Sequence, residues 1–272
     1  MTEREDLLRR LEHAGILGAI SWAYRSAARQ VAEDYSEESG HDVAWVGQTR
    51  YTLFRDRLDR VFSCGRYSLA ADAMPGEGRD VVTATLPQAE IDSMPAIEAD
   101  VVQRSNLNKS VGWSFEDIRW LLASGPYRKL DAIRWDGKSQ TKKLVAQQRN
   151  FSPDQASLFE ALPEDETAAL FNATTSPDFE ELDRLTLVVA HSQDVVSWLG
   201  ELGIGMPRLS QGDGSAWNWF SNLLAAPPVR TNSRLVVQAA SSDDHLNEPD
   251  APVKLRSRNA ASNRLQKNAT NP

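Results

Sequence analysis

YTLFRDRLDRVFSCGRYSLA, residues 51–70, is the stretch where the chain changes character. At 100° per residue Tyr51, Phe54, Leu58, Val61 and Phe62 fall on one side, which makes the first half an amphipathic helix packed on a core. Gly65 ends that helix, because glycine takes the left-handed conformation common just past a helix C-terminus. From RYSLA onward the pattern shifts to short runs with strand character.

Upstream, Leu7, Leu8, Leu11, Ile16, Leu17, Ile20 and Ala23 recur at helical spacing, predicting one helix over 3–38 weakened in its middle by Gly15 and Gly18. Downstream, strand-like runs are RYSLA (66–70), VVTATL (81–86), EADVVQRS (98–105), AIRWD (132–136), ALFNATT (169–175), LTLVVAHS (185–192), RLVVQAA (234–240) and PVKLR (252–256). Helical starts interrupt them. SFEDIRWLLASG opens with Ser114 as cap and Trp113 able to staple onto Ile118, and SPDQASL (from 152) and SPDFEEL (from 176) share a Ser-Pro punctuation. In QGDGSAWNWFSNLL (211–224) a glycine-rich turn leads into a segment read as a helix, with Trp217, Phe220 and Leu224 on one face and Trp219 as a contact anchor if exposed.

Helices first, then strands with irregular connections, predict an α+β fold whose sheet is mixed or largely antiparallel with interspersed helices. The expected organisation is a single globular domain over 1–240, helical to residue 65 and mixed α/β over 66–240, followed by a polar, flexible tail over 241–272. A chain of 272 residues can bury a core that needs no disulfide or metal. The lone Cys64 forms no internal bridge, the N-terminus is charged from residue 3, and no apolar run reaches membrane-spanning length, so the sequence predicts a cytoplasmic protein with no membrane partner.

The net charge of −8 is segregated. Residues 47–66 carry +3 and residues 101–150 carry +6, between acidic stretches of −6 over 67–100 and −9 over 151–200. The larger basic island interleaves Trp113, Trp120, Tyr127 and Trp135 with amides, a composition suited to nucleic acid because cations neutralise phosphates and aromatic faces stack on bases. The sequence therefore predicts a nucleic-acid-associated accessory or regulatory protein that contacts DNA or RNA through Arg50, Arg57, Arg104, Lys109, Arg134, Lys142 and Lys143. Arg50 and Arg57, seven residues apart, form a cationic ridge that Arg66 can join; the ridge contacts either phosphate or acids elsewhere in the chain.

Two alternatives accompany that reading. As a strand, residues 132–138 would project Arg134, Asp136 and Lys138 from one face, the acid-x-lysine geometry of a magnesium-dependent nuclease, with Asp117 as a candidate second acid; magnesium is the sole cofactor implied, and only in that case. A non-enzymatic interaction module is the other, using acidic residues 151–200 to meet a basic protein partner or the chain's own basic island. His191 closes an apolar run and can be a general base at a strand end. Cys64 is read as a packing residue at a helix end.

Overall fold

The computed structural model describes residues 2–68, 78–148, 182–209 and 214–224, all within one compact unit, residues 1–230. Three helices come first: α1 (Glu3–His13), α2 (Ile16–Asp34) and α3 (Val43–Val61). Thr2 and Glu5 close a capping box on α1, and the Asp42 carboxylate caps α3 by accepting from Trp45 N–H at 2.8 Å. The expected single helix over 3–38 is two helices, because Gly15 adopts a φ of +73° and turns the chain between them. Gly65, with φ +61°, follows α3 as its sequence position predicts.

Six strands then form one mixed sheet in chain order: β1 (Gln103–Arg104), β2 (Gly112–Phe115), β3 (Ile118–Ser124), β4 (Leu185–Gln193), β5 (Gly200–Pro207) and β6 (Trp217–Asn222). All neighbours are antiparallel except β3 and β4, which run parallel with Ser124 in register with His191. The molecule is α+β. Helices α1 to α3 cover one face, packing Leu11, Ile20, Phe54 and Leu58 on Trp113, Trp120, Leu122, Val189 and Ile204. The other face packs Leu121, Ala123, Val188 and Ala190 against Trp135, Trp217 and α6 (Gln140–Gln147).

Several expected elements differ. SFEDIRWLLASG is the β2–β3 hairpin, turned at Glu116 with φ +51°; β3 is buried on both faces, and a continuous apolar run carries no alternation to separate strand from helix. WNWFSN is likewise strand β6, where the Phe220 ring lies over Gly203 so closely that a β-carbon there would approach it to 2.2 Å. RYSLA begins as a 3-10 turn at Gly65–Tyr67, and the first half of VVTATL, residues 81–83, lies in the short helix α4 (Arg79–Thr83), followed by α5 (Gln88–Ser93). The Arg60 guanidinium takes the Val82 and Ala84 carbonyls at 2.6 and 2.9 Å, so those acceptors are withdrawn from any ladder. EADVVQRS contributes only the two residues of β1. AIRWD is two 3-10 turns, Leu130–Ala132 and Trp135–Gly137, tied down by the Trp135 indole N–H donating to Ala216 O at 2.7 Å. The runs at 169–175, 234–240 and 252–256, the helical starts at 152 and 176, the tail from 241 and most of the acidic segment lie outside the described residues.

Candidate functional site

Among the described strands β3 and β4 alone run parallel, so they end side by side with their carboxyl termini together. In open sheets such ends are where ligands sit, since the crossover connection leaves a crevice there. Ser124 ends β3 and His191 stands beside it on β4. Both face α3, whose buried stripe Val46, Arg50, Phe54 and Leu58 runs at helical spacing and places an arginine where the stripe otherwise holds apolar residues.

Arg50 is 4% exposed. Its Nε–H donates to His191 Nδ1 at 3.1 Å. An arginine is only a donor, so Nδ1 is an acceptor and the neutral ring carries its proton on Nε2. That Nε2–H points at Ser124 Oγ, 3.3 Å away. Complete burial, then the charges of Arg50, Lys142 and Lys138, hold the His191 pKa well below its ordinary value. The ring is enclosed by Phe54 edge-on at 5.2 Å, Tyr24 at 6.2 Å and Tyr51 stacked at 6.3 Å between centroids. His191 is therefore a neutral spacer that orients Arg50 and Ser124; its Nε2 lone pair is not free to take a proton from the serine.

Two lysines reach the same strand ends. Lys138 follows the Trp135–Gly137 turn and donates its ammonium to Ser124 O at 2.7 Å; Lys142 lies one turn further, on α6. Burial lowers both lysine pKa values, and Lys138 adds to the effect on Lys142. Burial lowers that of Arg50 as well. Among the described residues none of these three cations has a carboxylate within salt-bridge distance. Glu201, on the face that α6 covers, accepts from Ser192 Oγ at 2.7 Å and Arg128 N–H at 2.6 Å. Since His191 fills the Ser124 acceptor, the serine's own proton is free to point outward. The groups on offer are thus donors: the terminal guanidinium nitrogens, a hydroxyl and two ammoniums.

The other cations singled out by sequence go elsewhere. Arg57 is buried and paired, donating to Ser26 Oγ and Asp56 at 2.8 Å each, with Glu90 at 3.5 Å. Arg60 and Arg66 also pair with Asp56, Arg60 at 2.8 Å. Arg104 pairs with Asp59 and lies 4.6 Å over the Trp113 ring. Asp56 and Arg60 stand four apart with the acid first, the favoured order for a helical pair, while Asp59 pairs with Arg104 from β1. Arg134 is 84% exposed and holds Asp136 at 3.0 Å. Lys109 lies in an exposed turn, and Lys143 is half-buried on α6 beside Lys142.

The strand that would align Arg134, Asp136 and Lys138 is absent, because a 3-10 turn occupies 135–137 and sends Asp136 to solvent while Lys138 turns in to Ser124 O. Asp117 sits on the β2–β3 turn in an ion pair with Arg10. Among the described residues no group of three or more His, Cys, Asp or Glu could hold a metal. Cys64 is buried, and desolvation with Asp59 nearby pushes its thiol pKa up to about 12. A separate cavity of about 260 Å³ is lined by Arg128, Leu130, Asp131, Glu201, Phe220 and Asn222, and its two acids suit an anion poorly. Compared with protein-family models, curated proteins and solved structures, the chain matches none.

Proposed function

We propose that the protein binds a phosphorylated ligand, its phosphate seated at the carboxyl ends of β3 and β4 between Arg50, Ser124, Lys138 and Lys142. The observation that carries this is the convergence of three cations, each partly desolvated, with no acid to neutralise them among the described residues. Holding such charges together without a counter-ion is unfavourable, and an anion reverses the sign of that term. A phosphate dianion fits three positive groups and a hydroxyl donor better than a carboxylate does. The nucleic-acid association expected from composition takes a narrower form in this reading. The phosphate belongs to the end of an oligonucleotide or to a free nucleotide, and Arg50, Lys138 and Lys142 do the binding while Arg57 and Arg104 hold the fold.

Isothermal titration of the full chain with inorganic phosphate, AMP, and a short single strand carrying either a 5′-phosphate or a 5′-hydroxyl separates the sources. Binding of the 5′-phosphorylated strand alone assigns a nucleic-acid terminus, and equal binding of AMP assigns a nucleotide. Arg50→Met and Lys142→Gln should each weaken binding about tenfold or more, as loss of a charge-assisted contact does. Absence of heat with all four probes, or unchanged affinity in both variants, rules the proposal out.

A further inference from the structure

Far from the carboxylates of the α3 network, the α2–α3 loop meets the tip of the β4–β5 hairpin. The hairpin residues 195–199 read VVSWL, an apolar composition in a place where turns are ordinarily polar. Val196 and Leu199 are 84% and 57% exposed, and Val43, at the start of α3, is 68% exposed. Trp198 sits at a φ of +58°, a left-handed conformation that a bulky residue rarely takes. It is pinned there by its neighbours. Asp194 caps Ser197 N–H at 2.8 Å, Asp194 N–H donates to Leu199 O at 2.9 Å, and the Gln193 side chain donates to Trp198 O at 3.4 Å. Strain of this kind is retained where the side chain it presents is used.

The Trp198 ring stands edge-on to Tyr35 at 5.1 Å, and Tyr35 adjoins His41 and Trp45, which stack on each other at 3.8 Å. All four rings remain partly accessible. The same stretch, residues 30–49, carries five carboxylates, Glu33, Asp34, Glu37, Glu38 and Asp42, and no lysine or arginine, with Arg29 just before it pairing with Glu33. Aromatic faces with negative quadrupoles, on a loop rich in acids and with exposed aliphatic groups beside it, complement a cation that also brings apolar surface. Arginine side chains have that chemistry, combining a weakly hydrated planar cation with a long aliphatic stem.

We infer that this patch docks an arginine-rich segment of a protein partner, with Trp198 as its central anchor and Glu37, Glu38 and Asp42 as its charged rim. The patch uses none of the residues assigned to the phosphate site.

The test uses the full chain and a fluorescein-labelled seven-arginine peptide, read by anisotropy. Trp198→Ala should weaken binding at least tenfold at fixed salt, which diffuse attraction to an acidic protein would not give. Trp198→Gly, whose backbone accepts the left-handed conformation, should show the same loss and serves if the alanine variant does not fold. The double variant Glu37→Lys/Glu38→Lys should also bind weakly. Glu12→Lys, outside the patch, and Arg50→Met should bind as the parent does. Unchanged affinity in the Trp198 and the Glu37/Glu38 variants overturns the inference. So does equal binding of a neutral apolar peptide, and so does a sedimentation-defined dimer that Trp198→Ala dissolves, which gives the patch to a second copy of the chain.

Discussion

Arg50 and Arg57 stand seven residues apart on one helix, and both are about 5% exposed or less. Arg57 is met by Asp56, Ser26 and Glu90; Arg50 is met by a neutral histidine. A buried ion pair holds itself together once formed, since loss of either partner strands the other charge away from water. A buried cation without a carboxylate has no such partner, and the proposed phosphate would supply one. The same residue type on the same helix thus has two meanings, and the neighbour across the contact decides between them.

The sharpest way to break the comparison is Arg57→Ala, which leaves Glu90 and Asp56 short of a partner and should destabilise by about 3 to 5 kcal/mol in urea unfolding. A smaller loss would mean that Arg29 and Arg60 carry the network alone.

Acid titration separates the two regions by pH. Hydrogen bonds and ion pairs with arginines hold the Asp56 and Glu90 pKa values below their usual 3.8 and 4.5 despite burial, so the stability they contribute is present above those values and lost as pH falls further. His191 is also depressed, but from 6.5. Between 6.5 and its folded pKa the unfolded chain binds a proton that the folded one refuses, so stability is full above that range and declines as pH drops through it. The slope approaches about 1.4 kcal/mol per pH unit at most. Unfolding curves from pH 7 to 5 should show the decline, and His191→Gln should flatten it; a decline that persists in the variant places its origin elsewhere.

The smallest effect belongs to Asp136→Ala. A surface carboxylate paired with an exposed arginine should leave the unfolding midpoint and phosphate binding unchanged on removal. Loss of binding in that variant would move the site toward the turn at 135–137.

Sequence made some of this visible. The amphipathic face of α3, the stop at Gly65 and the strand LTLVVAHS are legible because each is a local pattern of period or composition. β3 and β6 are not: the first is buried on both faces, and the second, WNWFSN, sets its aromatic residues at a spacing that also fits a helix. The site was half legible. Arg50 and Lys142 stand out as cations in basic stretches, but Ser124 and His191 are 67 residues apart and Arg50 is 141 residues from His191, so the pairing of parallel strands and the packing of α3 on the sheet bring them together. No spacing rule encodes such a contact. Ser124 in particular closes a segment whose pattern also fits a helix, and its signal is its place just before Gly125 and Pro126.

Thermal unfolding of the parent chain, Arg50→Met and Arg57→Met, each with and without inorganic phosphate, tests the division most directly. Phosphate should raise the melting temperature of the parent, as any ligand specific to the folded state does. Arg50→Met should lose no more than about 1 kcal/mol of stability, since the hydrogen bond to His191 is offset by removal of an unneutralised charge, and it should not respond to phosphate. Arg57→Met should melt far lower while keeping the phosphate response. A parent chain indifferent to phosphate, or an Arg50→Met variant that responds as strongly as the parent, would show that Arg50 is no ligand site.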